Sequence, residues 1–204
     1  MLNKSTTLLL ATGNTGKVRE LKELLGELPI ELKSLRDYPE IRDVKESGMT
    51  FQENAEIKAR GFALQTGELS LADDSGLEIE ALNGAPGVHS ARFAGETAGY
   101  DIKIPKLLEL LASTGDTRRR SRFVCVMAVA DGNGGILRTV RGECNGTIAI
   151  SPRGSGGFGY DPIFIPDGFD QTFAELDQKV KQEISHRAIA AKLIMRYLLD
   201  FIAV

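Results

Sequence analysis

The 204-residue sequence holds only two cysteines and two histidines, and no tryptophan. Cys125 and Cys144 lie in strand-like runs without CxxC or Cys/His spacing, which speaks against a thiolate zinc site or disulfide and for buried thiols in a reducing compartment. An excess of positive charge is also missing. With 25 Lys+Arg against 28 Asp+Glu the formal charge is −3, so no global field would hold a nucleic acid polymer by counterion release. No apolar stretch approaches the roughly 18 uncharged residues of a membrane span. Only Leu2 to Lys4 separate Met1 from the first structural run, too few for an export signal. The expectation is a cytoplasmic protein with no membrane partner. What is present is ordinary for a globular chain: 42% hydrophobic and 26% charged residues. At roughly 150 residues per domain, residues 1–204 should form a single domain.

Thr6 to Ala11 is apolar and strand-like and runs into the turn Thr12-Gly13-Asn14, after which Val18, Leu21, Leu24 or Leu25 and Leu28 share a helical face. Ile30 to Leu35 alternates as a strand. Thr50-Phe51-Gln52-Glu53 fits a capping box, opening a helix whose buried stripe is Phe51, Ala55, Ala59, Phe62 and Ala63 and whose stop is Gly67. Leu69 to Ala72 and Leu77 to Glu80 predict two strands, broken at Asp73-Asp74-Ser75-Gly76. A third helix is expected around Ile102 to Leu111. Arg118, Arg119, Arg120 and Arg122 read as a solvated loop with no assigned function. Phe123 to Ala130 and Ile136 to Arg141 flank Asp131 to Gly135 as a hairpin whose second arm continues through Ile150. A glycine-rich loop, Pro152 to Pro162, precedes an extended Ile163 to Ile165. The last helix carries Ala188, Ala191, Ile194, Leu198 and Ile202. This order predicts an α/β, mixed α+β, chain: a mixed sheet flanked by helices.

Thr12-Gly13-Asn14-Thr15-Gly16-Lys17 offers backbone N–H groups at a helix start, two glycines and an ammonium, which is either a phosphate cradle or a plain capped turn. It is not a Walker A loop, because two residues separate the glycines and Val18 follows the lysine. Asp73 and Asp74 would face opposite ways in a regular strand, so one carboxylate could take a divalent cation and a water while the other supports it; the plain alternative is an Asp-rich turn. Glu46 is a further candidate ligand. Phe158 and Tyr160 either stack on a flat base or plug the core. Ser185 caps the last helix, where His186 and Arg187 are ligand donors or simple surface residues. A Ser75/His186/Asp74 triad lacks the G-x-S-x-G elbow and is not favoured. Ligands in such sheets collect at the carboxyl ends of strands, so the three motifs are expected to converge on one cleft.

Taken together, Ala11 to Lys17, Phe51 to Ala59, Ala72 to Leu77, Gly84 to Arg92, Gly157 to Phe164 and Ser185 to Arg187 resemble the inosine triphosphate pyrophosphatase family, with Tyr160 like its bacterial branch. The resemblance implies a homodimer with a long mixed sheet and two lobes around a central cleft. It implies Mg²⁺-dependent hydrolysis of noncanonical purine nucleoside triphosphates (ITP, dITP, XTP) to monophosphate and pyrophosphate. Carried over residue by residue, Thr12, Gly13, Asn14, Thr15, Gly16, Lys17 and Lys58 would hold the triphosphate. Glu46 and Asp74 would hold the metal, and Asp74 would activate water with Asp73 in support. Ser75, Phe158, Gly159, Tyr160, Asp161, Lys181, His186 and Arg187 would contact the nucleotide. The alternatives are a nucleotide sensor without turnover and a related pyrophosphatase for modified pyrimidine nucleotides.

Overall fold

The computed structural model describes residues 6–203; the segment Leu2 to Lys4, read above for an export signal, lies outside the described residues. Six strands form a single sheet in the order β2-β1-β3-β4-β5-β6. Strand β1 (Thr7–Leu10) is buried at every position and pairs in parallel with β2 (Glu31–Ser34) on one side and β3 (Leu69–Ile79) on the other. Parallel neighbours need a crossover. Helix α1 (Thr15–Leu25) supplies the first and α2 (Phe51–Thr66) the second. Strands β4 (Arg120–Ala130) and β5 (Ile136–Ile148) are neighbours joined by Asp131 to Gly135, a connection short enough only for an antiparallel pair. The short β6 (Phe164–Pro166) closes the edge antiparallel to β5. Helix α3 (Tyr100–Ser113) lies between β3 and β4 in the chain, and α4 (Gln178–Ile184) and α5 (His186–Ile202) end it.

The chain packs into two units, each with its own core. The first runs to Asp74 and takes in Cys125–Arg141 and the chain from Ile189. Its core joins Leu8 and Leu10 of β1, Leu21 and Leu25 of α1, Met127 and Val129 of β4, and Ile194 and Leu198 of α5. The second comprises Ser75–Val124 and Gly142–Ala188. There Leu77, Leu107, Leu111, Phe123, Phe164 and Phe173 pack together, with the Phe123 and Phe164 ring centroids 4.6 Å apart.

The capping box at Thr50 forms as expected: its hydroxyl accepts from the Glu53 N–H at 3.1 Å, and the Glu53 carboxylate accepts from the Thr50 N–H at 3.1 Å. Gly67 ends α2 at φ +71°, a conformation that needs no side chain. Two expectations fail. Strand β3 is continuous from Leu69 to Ile79 instead of breaking at the aspartates, because each of those carboxylates meets a lysine and the charges need no solvent. The arginine run is a solvated loop only at its start, where Arg118 is exposed ahead of β4. Arg120 opens β4 and makes a bidentate pair with Asp167 at 2.8 and 3.1 Å, Arg122 bonds Glu78 at 2.7 Å, and Arg119 donates to the carbonyls of Ile148 and Ala149. Helix α4 was not foreseen, being only seven residues long; Asp177 caps it by accepting from the Lys179 N–H. Among the described residues no helix is long and apolar enough to cross a membrane.

Candidate active site

In the first unit, β1 ends at the turn that starts α1. The Asn14 side-chain carbonyl caps that helix, accepting from the N–H groups of Gly16 at 2.9 Å and Lys17 at 3.2 Å, and Thr12 Oγ1 accepts from the Asn14 N–H. Two of the helix-start donors are therefore held by Asn14. The Lys17 ammonium reaches 3.0 Å to Asp73 Oδ2, on a side chain with no exposure. Cys125 Sγ lies 3.9 Å from the same oxygen. Asp74, next along β3, turns to the other face, as the pleat requires. Its Oδ1 is 3.3 Å from the Lys58 ammonium, which also lies 2.7 Å from Glu46 Oε1. Two carboxylates thus converge on one buried cation.

Burial is the largest influence on Asp74 and pushes its pKa up, against the pull of Lys58 and Lys17. For Lys58 burial is again the largest single influence and disfavours its charge, but Asp74, Asp73 and Glu46 together outweigh it and raise its pKa, keeping it an ammonium. The donor set suits a hard divalent ion. Mg²⁺ takes oxygen ligands, typically one or two protein carboxylates plus substrate phosphates. Glu46 and Asp74 offer that pair, and the Lys58 ammonium between them shows that positive charge is stabilised there.

The second unit gathers a different set. Asp161 Oδ2 accepts from the Phe158 N–H at 2.8 Å and pairs with the buried Lys181 ammonium, fixing the glycine-rich loop. The Phe158 ring has Lys181 Nζ 5.1 Å and Arg187 Cζ 5.6 Å from its centroid. Arg187 Nη2 donates to Ser75 Oγ at 2.8 Å. His186 stacks on Phe123 with centroids 4.6 Å apart and 11° between the rings. Ser185 caps α5 by accepting from the Ala188 N–H, so His186 and Arg187 are fixed in its first turn. His186 and Arg187 are both buried rather than at the surface. Tyr160 is a core residue, 2% exposed, and its hydroxyl donates to the Ser90 carbonyl, so Phe158 is the aromatic left half-exposed in that loop.

Sequence reasoning missed two residues of these clusters. Asn54 is fully buried: its Nδ2 donates to Asp74 Oδ2 at 3.4 Å and its Oδ1 accepts from the Gly48 N–H at 2.8 Å, tying the Glu46 loop to β3. A signal existed, since Asn54 and Lys58 are two polar residues four apart within the apolar stripe of α2. Tyr100 was missed as well. Its ring meets Tyr160 edge to face at 5.1 Å, and a β-carbon on Gly159 would touch it at 3.7 Å. Nothing local in the sequence marks it.

A family model described as the Ham1 family matches residues 8–197. A dITP/XTP pyrophosphatase of Desulforamulus reducens is 50% identical over 191 residues, 94% of each chain. Another, from Geobacter sulfurreducens, is 46% identical over 95% of this chain and 96% of its own. Among solved structures, a HAM1 protein from Coxiella burnetii matches with a TM-score of 0.88 at 43% identity, covering 96% of this chain and 99% of that one. Fold, signature segments and whole-length similarity agree, and the chain belongs to the Ham1 family.

Proposed function

We propose that this chain hydrolyses noncanonical purine nucleoside triphosphates, namely ITP, dITP and XTP, to the monophosphate and pyrophosphate. The observation that carries the reading is the pairing of adjacent aspartates in β3 with two lysines, Asp73 with Lys17 and Asp74 with Lys58, Glu46 completing the second pair. Relatives that share about half of its residues are named dITP/XTP pyrophosphatases. Lys17 and Lys58 grip the phosphates, with the Thr12 to Lys17 turn beside them. Water attacks the α-phosphorus, its proton passes to Asp74, and the bond to the bridging oxygen breaks so that pyrophosphate leaves whole. Burial makes Asp74 a stronger proton acceptor than a solvated aspartate. Asp73 holds Lys17 in place. A Mg²⁺ held by Glu46 and Asp74 would supply charge neutralisation and a lowered water pKa.

Phe158 offers a ring face for the base. His186, Arg187, Lys181 and Ser75 supply donors suited to the 6-carbonyl of hypoxanthine or xanthine, where adenine presents a donor of its own. We read residues 1–204 as one pyrophosphatase domain, acting as a cytoplasmic homodimer. Two buried free thiols support a reducing compartment. The test is a turnover series on ITP, XTP, ATP and UTP with Mg²⁺, followed by ³¹P spectra. Pyrophosphate and IMP as first products with ATP and UTP poorly used are expected; orthophosphate and IDP as first products would refute the assignment.

A further inference from the structure

A cavity of about 430 Å³ lies within the first unit, against the outer side of the β1–α1 turn. The volume falls in the range of small-molecule sites. One wall is α1, which contributes Val18 and, one helical turn apart, Arg19 and Lys22; the other is the segment after β2, with Leu35 and Arg36. Val18 and Leu35 are half-buried, so the cavity has an apolar part. Arg19, Lys22 and Arg36 are exposed, and none has a carboxylate within ion-pair distance among the described residues; the single carboxylate on the wall is Glu23. By contrast Lys17, Lys58, Lys181, Arg120 and Arg122 face acids. Three cations on two walls of one cavity, of which Lys22 also lends its charge to the Asp37 carboxylate, form a place for a multiply charged anion.

We propose that this cavity is a second ligand site, separate from the lysine–aspartate pairs, which binds an oligophosphate: free pyrophosphate or the phosphates of a nucleotide whose base lies on Val18 and Leu35. Guanidinium groups match phosphate oxygens in pairs, and two of the three cations are arginines. Thr12, Gly13 and Thr15 line the cavity and belong to the same turn that carries Asn14 and Lys17. An occupant therefore touches the turn used by the phosphate cradle, which couples the two sites mechanically.

Calorimetric titration with inorganic pyrophosphate and, separately, with ADP, both without metal, tests this on wild type, Lys17→Ala and the triple variant Arg19→Ala/Lys22→Ala/Arg36→Ala. The expected result is pyrophosphate binding that persists in Lys17→Ala but weakens at least about tenfold in the triple variant, since each charged contact is worth about that factor. The altered side chains are exposed, so the triple variant should keep its fold and its ITP turnover; Arg36→Glu, a single reversal, should weaken binding in the same direction. Loss of binding in Lys17→Ala, or no change in the triple variant, overturns the proposal, as does absence of binding by either probe in wild type. Tighter binding of ADP than of pyrophosphate, with the advantage lost in Leu35→Ala, identifies a nucleotide occupant, and equal or weaker binding identifies pyrophosphate. The result does not depend on which triphosphate the chain hydrolyses.

Discussion

Asp73 and Asp74 are neighbours in the chain with separate surroundings, because a strand sends successive side chains to opposite faces. Asp73 is enclosed with Lys17 and Cys125, and Asp74 with Lys58, Asn54 and, through Lys58, Glu46. Asp74→Asn should lower kcat on ITP by at least about 10²-fold, the scale of a lost acid–base group. An unchanged melting temperature would assign that loss to chemistry, and near wild-type turnover would remove Asp74 from the mechanism. Asn54 acts at one remove, by positioning. Asn54→Leu breaks its bonds to Gly48 and Asp74 together, so both kcat and KM should worsen, whereas a purely structural role would change the melting temperature alone. Cys144 illustrates burial acting on a thiol: its pKa is pushed up to about 12, chiefly by desolvation with Asp167 adding to it. At pH 8 almost none of it is thiolate, and Cys125 is fully buried too. Iodoacetamide should therefore label neither cysteine until denaturant is added; rapid labelling of the native protein would contradict their placement. At this scale the sequence was legible where a residue type has one physical use, as with the buried cysteines. Glu46 is less legible, an ordinary surface glutamate by its local sequence and only a further candidate, until the fold brings it within 2.7 Å of Lys58, whose own role comes from the family resemblance.

Among the elements, α2 was the most legible because both its ends are written in local chemistry. Thr50→Ala removes the cap and should destabilise the protein by about 1 kcal/mol, which for a chain this long is a drop of about 2–4 °C in melting temperature. Lys58 lies two turns further on, so turnover at 25 °C should hold; a large loss of kcat would show that the cap also orders the site. Gly48 is the sharper case. A β-carbon there would come within 2.5 Å of the Glu53 Cβ and 2.8 Å of Asn54 Oδ1. Gly48→Ala should thus displace the Glu46 loop and weaken Mg²⁺-dependent activity more than Thr50→Ala does, measured as the Mg²⁺ concentration at half-maximal rate. Strand β3 was read as two pieces because acidic residues and a glycine locally resemble a turn; the lysines that neutralise it lie at positions 17 and 58, beyond any local window. Arg120 and Arg122 depart from the expected loop for a similar reason, their partners Asp167 and Glu78 being tens of residues away.

For the whole molecule, acid sensitivity follows from its paired carboxylates. Backbone hydrogen bonding at Ser34 holds Asp37 below its ordinary range, the Arg118 and Arg120 side chains do the same for Asp116 and Asp167, and the backbone at Thr172 for Glu175. Groups with lowered folded-state pKa values stabilise the fold above their unfolded pKa of about 4 and lose that contribution as the pH falls through the folded values. Asp74 has the opposite sign and resists part of the loss. The melting temperature should be nearly flat from about pH 8 to 5 and fall below about pH 4, less steeply in high salt for the exposed Arg120–Asp167 pair. A fall beginning near pH 6 would require a titrating group other than these. The two lysines and three carboxylates around β3 also fix what this molecule can accept from solution. Lys17 and Lys58 against Glu46, Asp73 and Asp74 leave one negative charge in excess, and a bare triphosphate brings about four more. Such a ligand is repelled until a cation accompanies it. At the β3 lysine–aspartate pairs uncomplexed nucleotide should therefore be a bystander rather than a competitive inhibitor, and a chelator should abolish turnover together with the part of the binding of a non-hydrolysable ITP analogue that depends on Lys17 and Lys58.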